Sequence, residues 1–150
     1  MCYIINIILV LNITVDDIIA ELYIDGVEIT DLPNRYDYKV ADSVPLPSMT
    51  QVIAVKQSNS ASNGGLLASS KFMITDERWK VTVNYTAGWM NVTFDDNEWD
   101  NATVYKLNKK NSTLFVVPSI SSSSAWIGTK KRTESVVYYR YRINYCDLIL

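Results

Sequence analysis

Apolar and polar residues in this chain alternate with a period of two far more often than they recur at helical spacing. The run "SVVYYRYRI" puts Val137, Tyr139, Tyr141 and Ile143 on one side and Val136, Tyr138, Arg140 and Arg142 on the other, the pattern of a β-strand. "WKVTVNY" alternates as well, with Trp79, Val81, Val83 and Tyr85 opposed to Lys80, Thr82 and Asn84. "QVIAVKQ" is a compact apolar run of the buried-strand kind, while "LLASSKFMI" and "YDYKV" read as further strands. Asp25-Gly26 sits between "ELYI" and "VEIT". A type I′ turn needs positive φ at both central residues, which makes Asp-Gly the strongest short hairpin signal. Residues 20–24 and 27–29 are therefore expected to pair. "DLPNR", "VPLPS", "SNSASNGG" and "SISSSS" read as loops, with the prolines where a missing N–H costs nothing.

The pattern predicts about eight to ten short strands with turn chemistry between them, the signature of an antiparallel sandwich or barrel. The long polar connection over residues 31–50 favours a jelly roll of about eight strands, whose chain crosses between two sheets. One domain suffices for 150 residues, which can bury a sizeable core. We expect the sandwich over residues 12–146, with 147–150 as a tail. Residues 1–11 read either as the stub of a signal peptide or as the beginning of a first strand from about 7 to 15. "MCYIINIILVL" is too short to span a bilayer.

Charge narrows the partners. With 14 basic and 16 acidic side chains the net charge is −2, so no nucleic acid partner is expected: phosphate binding needs a concentrated basic face. Lys130-Lys131-Arg132 is the only basic cluster and reads as a solvated turn. Histidine is absent, which removes the commonest general base and the usual zinc ligand. Cys2 and Cys146 lie near opposite ends; they read either as an end-to-end disulfide or as two unpaired thiols. N-x-S/T sequons occur at Asn12, Asn84, Asn91, Asn101 and Asn111, an excess over chance for a motif of secreted surface loops. A secreted, extracellular glycoprotein is expected.

The stretch "GWMNVTFDDNEWDNATVY" packs Asp95, Asp96, Glu98 and Asp100 together with two tryptophans into eighteen residues. An EF-hand is excluded because Trp99 occupies a ligand position and glycine is missing at the sixth. Calcium held by Asp95, Asp96 or Glu98 with backbone carbonyls is the one metal reading left open. Glycoside hydrolysis requires two carboxyl groups facing each other across a sugar, and adjacent acids on an extended chain point apart. The reading with fewest assumptions is a surface turn, in which Asp and Asn cap their own backbone and Trp99 folds back against the edge of the sandwich.

"ERWKVT", "GWMNVTFDDNEWDNATVY" and "AWIGTKK…SVVYYRYRI", with "VDDIIAELYIDGVEI" before them, together resemble galactose-binding-domain-like jelly rolls. Trp79, Trp89, Phe94, Asp95, Asp96, Trp99, Ala102, Trp126, Ile127, Tyr138 or Tyr139, and Arg140 or Arg142 fill the motif positions. The resemblance covers residues 12–144 or so, and departs from the pattern at Gly128, where a second tryptophan is common. It implies a non-catalytic extracellular module, of the kind found beside glycoside hydrolases and in extracellular animal proteins. The function expected is carbohydrate binding or adhesion, with Trp89, Asp96 and Tyr105 as the carbohydrate-binding residues and a carbohydrate or an extracellular protein as partner. The alternative is a purely structural accessory domain of a larger secreted protein. A carboxylate-based glycosidase ranks last.

Overall fold

A computed structural model describes residues 8–60, 62–110 and 116–145; Cys2, Cys146, Asn111 and the 147–150 tail lie outside them. The described chain forms an antiparallel sandwich of two six-stranded sheets, not closed into a barrel and without a helical element. Its strands are β1 (Leu9–Asp16), β2 (Ile18–Ile24), β3 (Val27–Glu28), β4 (Asp42–Leu46), β5 (Val52–Ser58), β6 (Gly65–Ser70), β7 (Met73–Ile74), β8 (Lys80–Thr82), β9 (Asp100–Asn101), β10 (Thr103–Leu107), β11 (Ala125–Gly128) and β12 (Val136–Arg142). The first sheet runs β10-β11-β6-β1-β4, with β7 also paired to β6; the second runs β3-β2-β5-β12-β8-β9. The chain passes repeatedly from one sheet to the other. Twelve strands exceed the expected number partly because β7 and β9 are two-residue pairings, too short to be read as separate strands.

Alternation places the core. Leu9, Leu11, Ile13 and Val15 of β1 point inward against Leu22, Ile53, Val55, Val137 and Tyr139 of the second sheet, as a period of two requires. Trp79 is fully buried in this layer, its indole N–H donating to the Ile74 carbonyl at 3.0 Å. Asp25 and Gly26 take φ of 49° and 79°, and the hairpin between β2 and β3 forms where Asp-Gly predicts it. The Asp25 carboxylate also accepts the Gln51 and Val52 N–H groups at 2.8 Å, tying this turn to the start of β5.

Four expectations are corrected. "YDYKV" is not a strand: the Asp37 carboxylate accepts the Lys39 N–H at 3.0 Å and successive turns close on Asn34 and Asp37, so local capping wins over alternation. "LLASSKFMI" is not one strand but β6 and β7 folded back through Lys71-Phe72. "WKVTVNY" leaves the sheet after Thr82, whose hydroxyl accepts the Asn84 N–H at 3.2 Å, and Val83 and Tyr85 become exposed. Pro45 of "VPLPS" lies inside β4. That strand is at a sheet edge, where a missing N–H breaks no ladder.

Both outer faces are covered by the protein's own loops. On the first sheet Val117 and Ile120 from the loop before β11 pack with Leu67 of β6 and Trp126 of β11, with Tyr38 and Tyr105 alongside. On the second, Trp89 and Trp99 pack over Ala54 and Tyr138. The acid-rich stretch supplies this second cover.

Candidate functional site

Between β8 and β9 the chain advances by a series of tight turns. Trp89 N–H donates to Thr86, Asn91 to Gly88, Phe94 to Asn91 and Trp99 to Asp96, all through backbone carbonyls at 2.9–3.2 Å. Gly88 supplies a positive φ of 79°, and the Asp95 carboxylate caps the Asn97 N–H at 2.9 Å. The aromatic rings then fall on one side. Trp89 meets Tyr23 and Tyr138 edge-on, with centroids 5.6 and 4.9 Å away, and Phe94 meets Trp99 at 5.7 Å. These are favourable quadrupole geometries.

Arg140, on the outward side of β12, fastens the segment. Its side chain is 0% exposed. Nε donates to the Asp96 carboxylate at 3.0 Å, Nη1 to the carbonyls of Trp89 at 2.5 Å and Asn91 at 3.1 Å, and Nη2 to that of Phe94 at 3.3 Å. The guanidinium also lies 5.1 Å from the Phe94 ring centroid. Burial lowers its pKa and the Asp96 carboxylate opposes that shift, so the charge survives because each direction of the planar fork finds an acceptor. Arg142 repeats the device at the rim, donating to the Val92 carbonyl at 2.7 Å.

The three expected sugar residues, Trp89, Asp96 and Tyr105, are placed as follows. Trp89 is 1% exposed and offers no ring face to a ligand. Asp96 holds Arg140. Tyr105 belongs to β10 of the other sheet; its hydroxyl donates to the Thr129 carbonyl and the Arg132 guanidinium lies 4.3 Å from its ring centroid. The three do not converge. Of the acids considered for calcium, Asp95 caps its turn, Asp96 is bound to Arg140 and Glu98 is exposed. Among the described residues no group of three His, Cys, Asp or Glu side chains is placed to hold a metal ion. The segment is built of turns, as expected, yet it covers a sheet face and does not fold at the sandwich edge. The missed residue is Arg140 as anchor; its signal is an arginine sharing a strand face with Val136 and Tyr138, a face that needs an acid elsewhere to close it.

Two polar features lie apart from this anchor. An open cleft of about 290 Å³ is bounded by β8, β9 and the loop after β11, and its lining includes Asn84, Asp100, Asn101, Lys130, Lys131 and Glu134. Asp16 and Asp17, where β1 meets β2, form the second. Their carboxyl groups are hydrogen-bonded to each other; burial, then the Asp17 neighbour, raises Asp16 to about 7, against Lys106 and Arg132. Asp17 accepts the Ser60 N–H at 3.0 Å and hydroxyl at 2.8 Å, which lower its pKa. An adjacent acid pair at a strand end is visible in sequence, but the coupling is not.

Of the sequons, Asn84, Asn91 and Asn101 are exposed. Asn12 lies within β1, its side-chain oxygen accepting the Ser43 hydroxyl at 2.6 Å, and its sequon Thr14 is buried, a poor setting for a glycan. The class these observations define is an all-β antiparallel sandwich with loop-covered faces. No protein family, no curated protein and no solved structure matches the chain.

Proposed function

We propose that the chain is a non-catalytic extracellular module of the galactose-binding-like jelly-roll type, which serves adhesion or acts as an accessory domain and meets other extracellular proteins. The observation that carries this reading is the buried Arg140–Asp96 pair with its three backbone carbonyls. It commits Asp96 and, with the packing of Trp89 and Trp99, the centre of the most site-like segment to holding the fold. The kinship draws support from the same unit: Trp89, Phe94, Asp96, Trp99 and Arg140, which carry the resemblance, pack together although Arg140 is 44 residues from Asp96. Exposed Asn84, Asn91 and Asn101 support the extracellular setting.

A second reading, binding of a free sugar, is favoured by one observation: the cleft beside β8 and β9 is polar, open and close to small-ligand size. Titration of the folded, unglycosylated chain with galactose and glucose, alongside a glycan array, separates the two. Absence of binding is expected. Saturable binding abolished by Lys130→Ala and Glu134→Gln would move the assignment to sugar recognition, and glycoside hydrolysis lost on carboxylate-to-amide substitution would overturn the non-catalytic reading.

A further inference from the structure

Two of the sequon asparagines, Asn84 and Asn101, line one and the same cleft, and the hydroxyl residue of the second sequon, Thr103, lines it too. They come from different elements: Asn101 ends β9, and Asn84 follows the bend at Thr82. The same lining includes Lys130, Lys131 and Glu134, all polar groups with hydrogen-bonding capacity toward hydroxyl-rich matter. Val83, 42% exposed, adds an apolar patch to the lining. The volume of about 290 Å³ is near the lower limit of small-ligand pockets, which fits the first sugars of a chain and not a long oligosaccharide. Both acceptor asparagines are exposed. We infer that this cleft is the seat of the protein's own N-glycan, carried on Asn84 or Asn101, whose first sugars lie against Lys130 and Lys131.

The inference rests on the extracellular reading above, since attachment needs a glycosylating compartment. In that step the asparagine amide nitrogen bonds to the anomeric carbon of a lipid-diphosphate oligosaccharide and loses one proton, while the lipid diphosphate leaves with the electron pair of the broken C–O bond. Once attached, the sugar is tethered at the cleft rim, so its effective concentration there is high without any intrinsic affinity for free sugar. The inference thereby accounts for a polar cleft in a protein whose tryptophans are all buried.

The test uses the full chain secreted from a glycosylating eukaryotic host. Peptide mass spectrometry reads occupancy at each sequon; acetylation by acetic anhydride reads lysine reactivity before and after enzymatic removal of the glycans. Lys130 and Lys131 are expected to gain severalfold in reactivity on deglycosylation, while exposed Lys39 and Lys71 stay unchanged. The Asn84→Gln/Asn101→Gln double variant should show the same gain without enzyme. If Asn84 or Asn101 is occupied but Lys130 and Lys131 react equally with and without glycan, the seat is refuted and the extracellular reading stands. Occupancy confined to Asn91 also refutes it. A chain with no sequon occupied sinks both.

Discussion

Arg140 illustrates how much can hang on one side chain when its whole fork is engaged. Arg140→Ala strips the donor from Asp96 and from three carbonyls beneath a packed aromatic cover. Removing one partner of a buried pair costs about 3–5 kcal/mol; Asp96 retains 19% side-chain exposure, so we expect about 3 kcal/mol, read as a lowered urea midpoint. Arg140→Lys should recover little of it, because a single ammonium cannot address acceptors spread around a planar fork. Asp16 gives a different residue-scale prediction. Its folded-state pKa, raised to about 7 from 3.8, means that the folded chain binds this proton more tightly than the unfolded one. The stabilisation is therefore present below about pH 4 and lost as pH rises through about 7. Asp42, raised by burial, acts in the same sense; Asp17, held low by Ser60, acts in the opposite one, losing its contribution in acid. The urea midpoint should fall between about pH 4 and about pH 7, and Asp16→Asn should make that fall shallower. An unchanged slope in the variant would show that Asp16 is not its source.

At the scale of elements, the turn chemistry was legible and the long-range closure was not. Asp25-Gly26 announces its hairpin because the constraint is local: a positive φ that few residues accept. Gly26→Ala would hold a Cβ at φ 79°, near the Asn91 side chain, and should cost about 1 kcal/mol by thermal or urea unfolding. The alternation of β12 was equally readable, since Val137 and Tyr139 face the core as the pattern requires. "YDYKV" misled because Asp37 caps its own turn, and "WKVTVNY" ran too long because Thr82 bends the chain out of the sheet; both are side-chain-to-backbone bonds that compete with a ladder and leave alternation intact. The anchoring of the candidate segment was not legible for a different reason. An Asp-rich, Trp-rich segment looks like a ligand loop until its counter-ion is known, and the guanidinium that claims Asp96 is on a strand far along the chain. Nothing in the segment itself says that Arg140 will come down on it.

For the molecule as a whole, covering both outer faces changes which strands are innermost. β5 and β6 are buried along almost their whole length, with apolar runs VIAV and LLA, and do not alternate, the mark of strands buried on two sides. The cover over β5 and β12 is the Trp89 segment, while that over β6 is the separate group of Val117 and Ile120, packed with Trp126 of β11. Two covers that share no residues are expected to open independently of each other, since local opening follows packed units more than chain order. Trp89→Ala removes the largest ring of the first cover and should cost about 3–5 kcal/mol of global stability. Amide exchange provides the finer readout. In the wild type, β5, β12 and β6 should be the slowest strands, with edge strands β3, β9 and β10 the fastest. In Trp89→Ala, at a denaturant concentration well below unfolding, exchange should accelerate in β5 and β12 while β1 and β6 move only as much as the loss of global stability dictates. Equal acceleration across both sheets would mean that the Trp89 segment is part of one cooperative core and not a cover fastened onto it, and the division of labour between Arg140 and the inter-sheet layer would have to be abandoned.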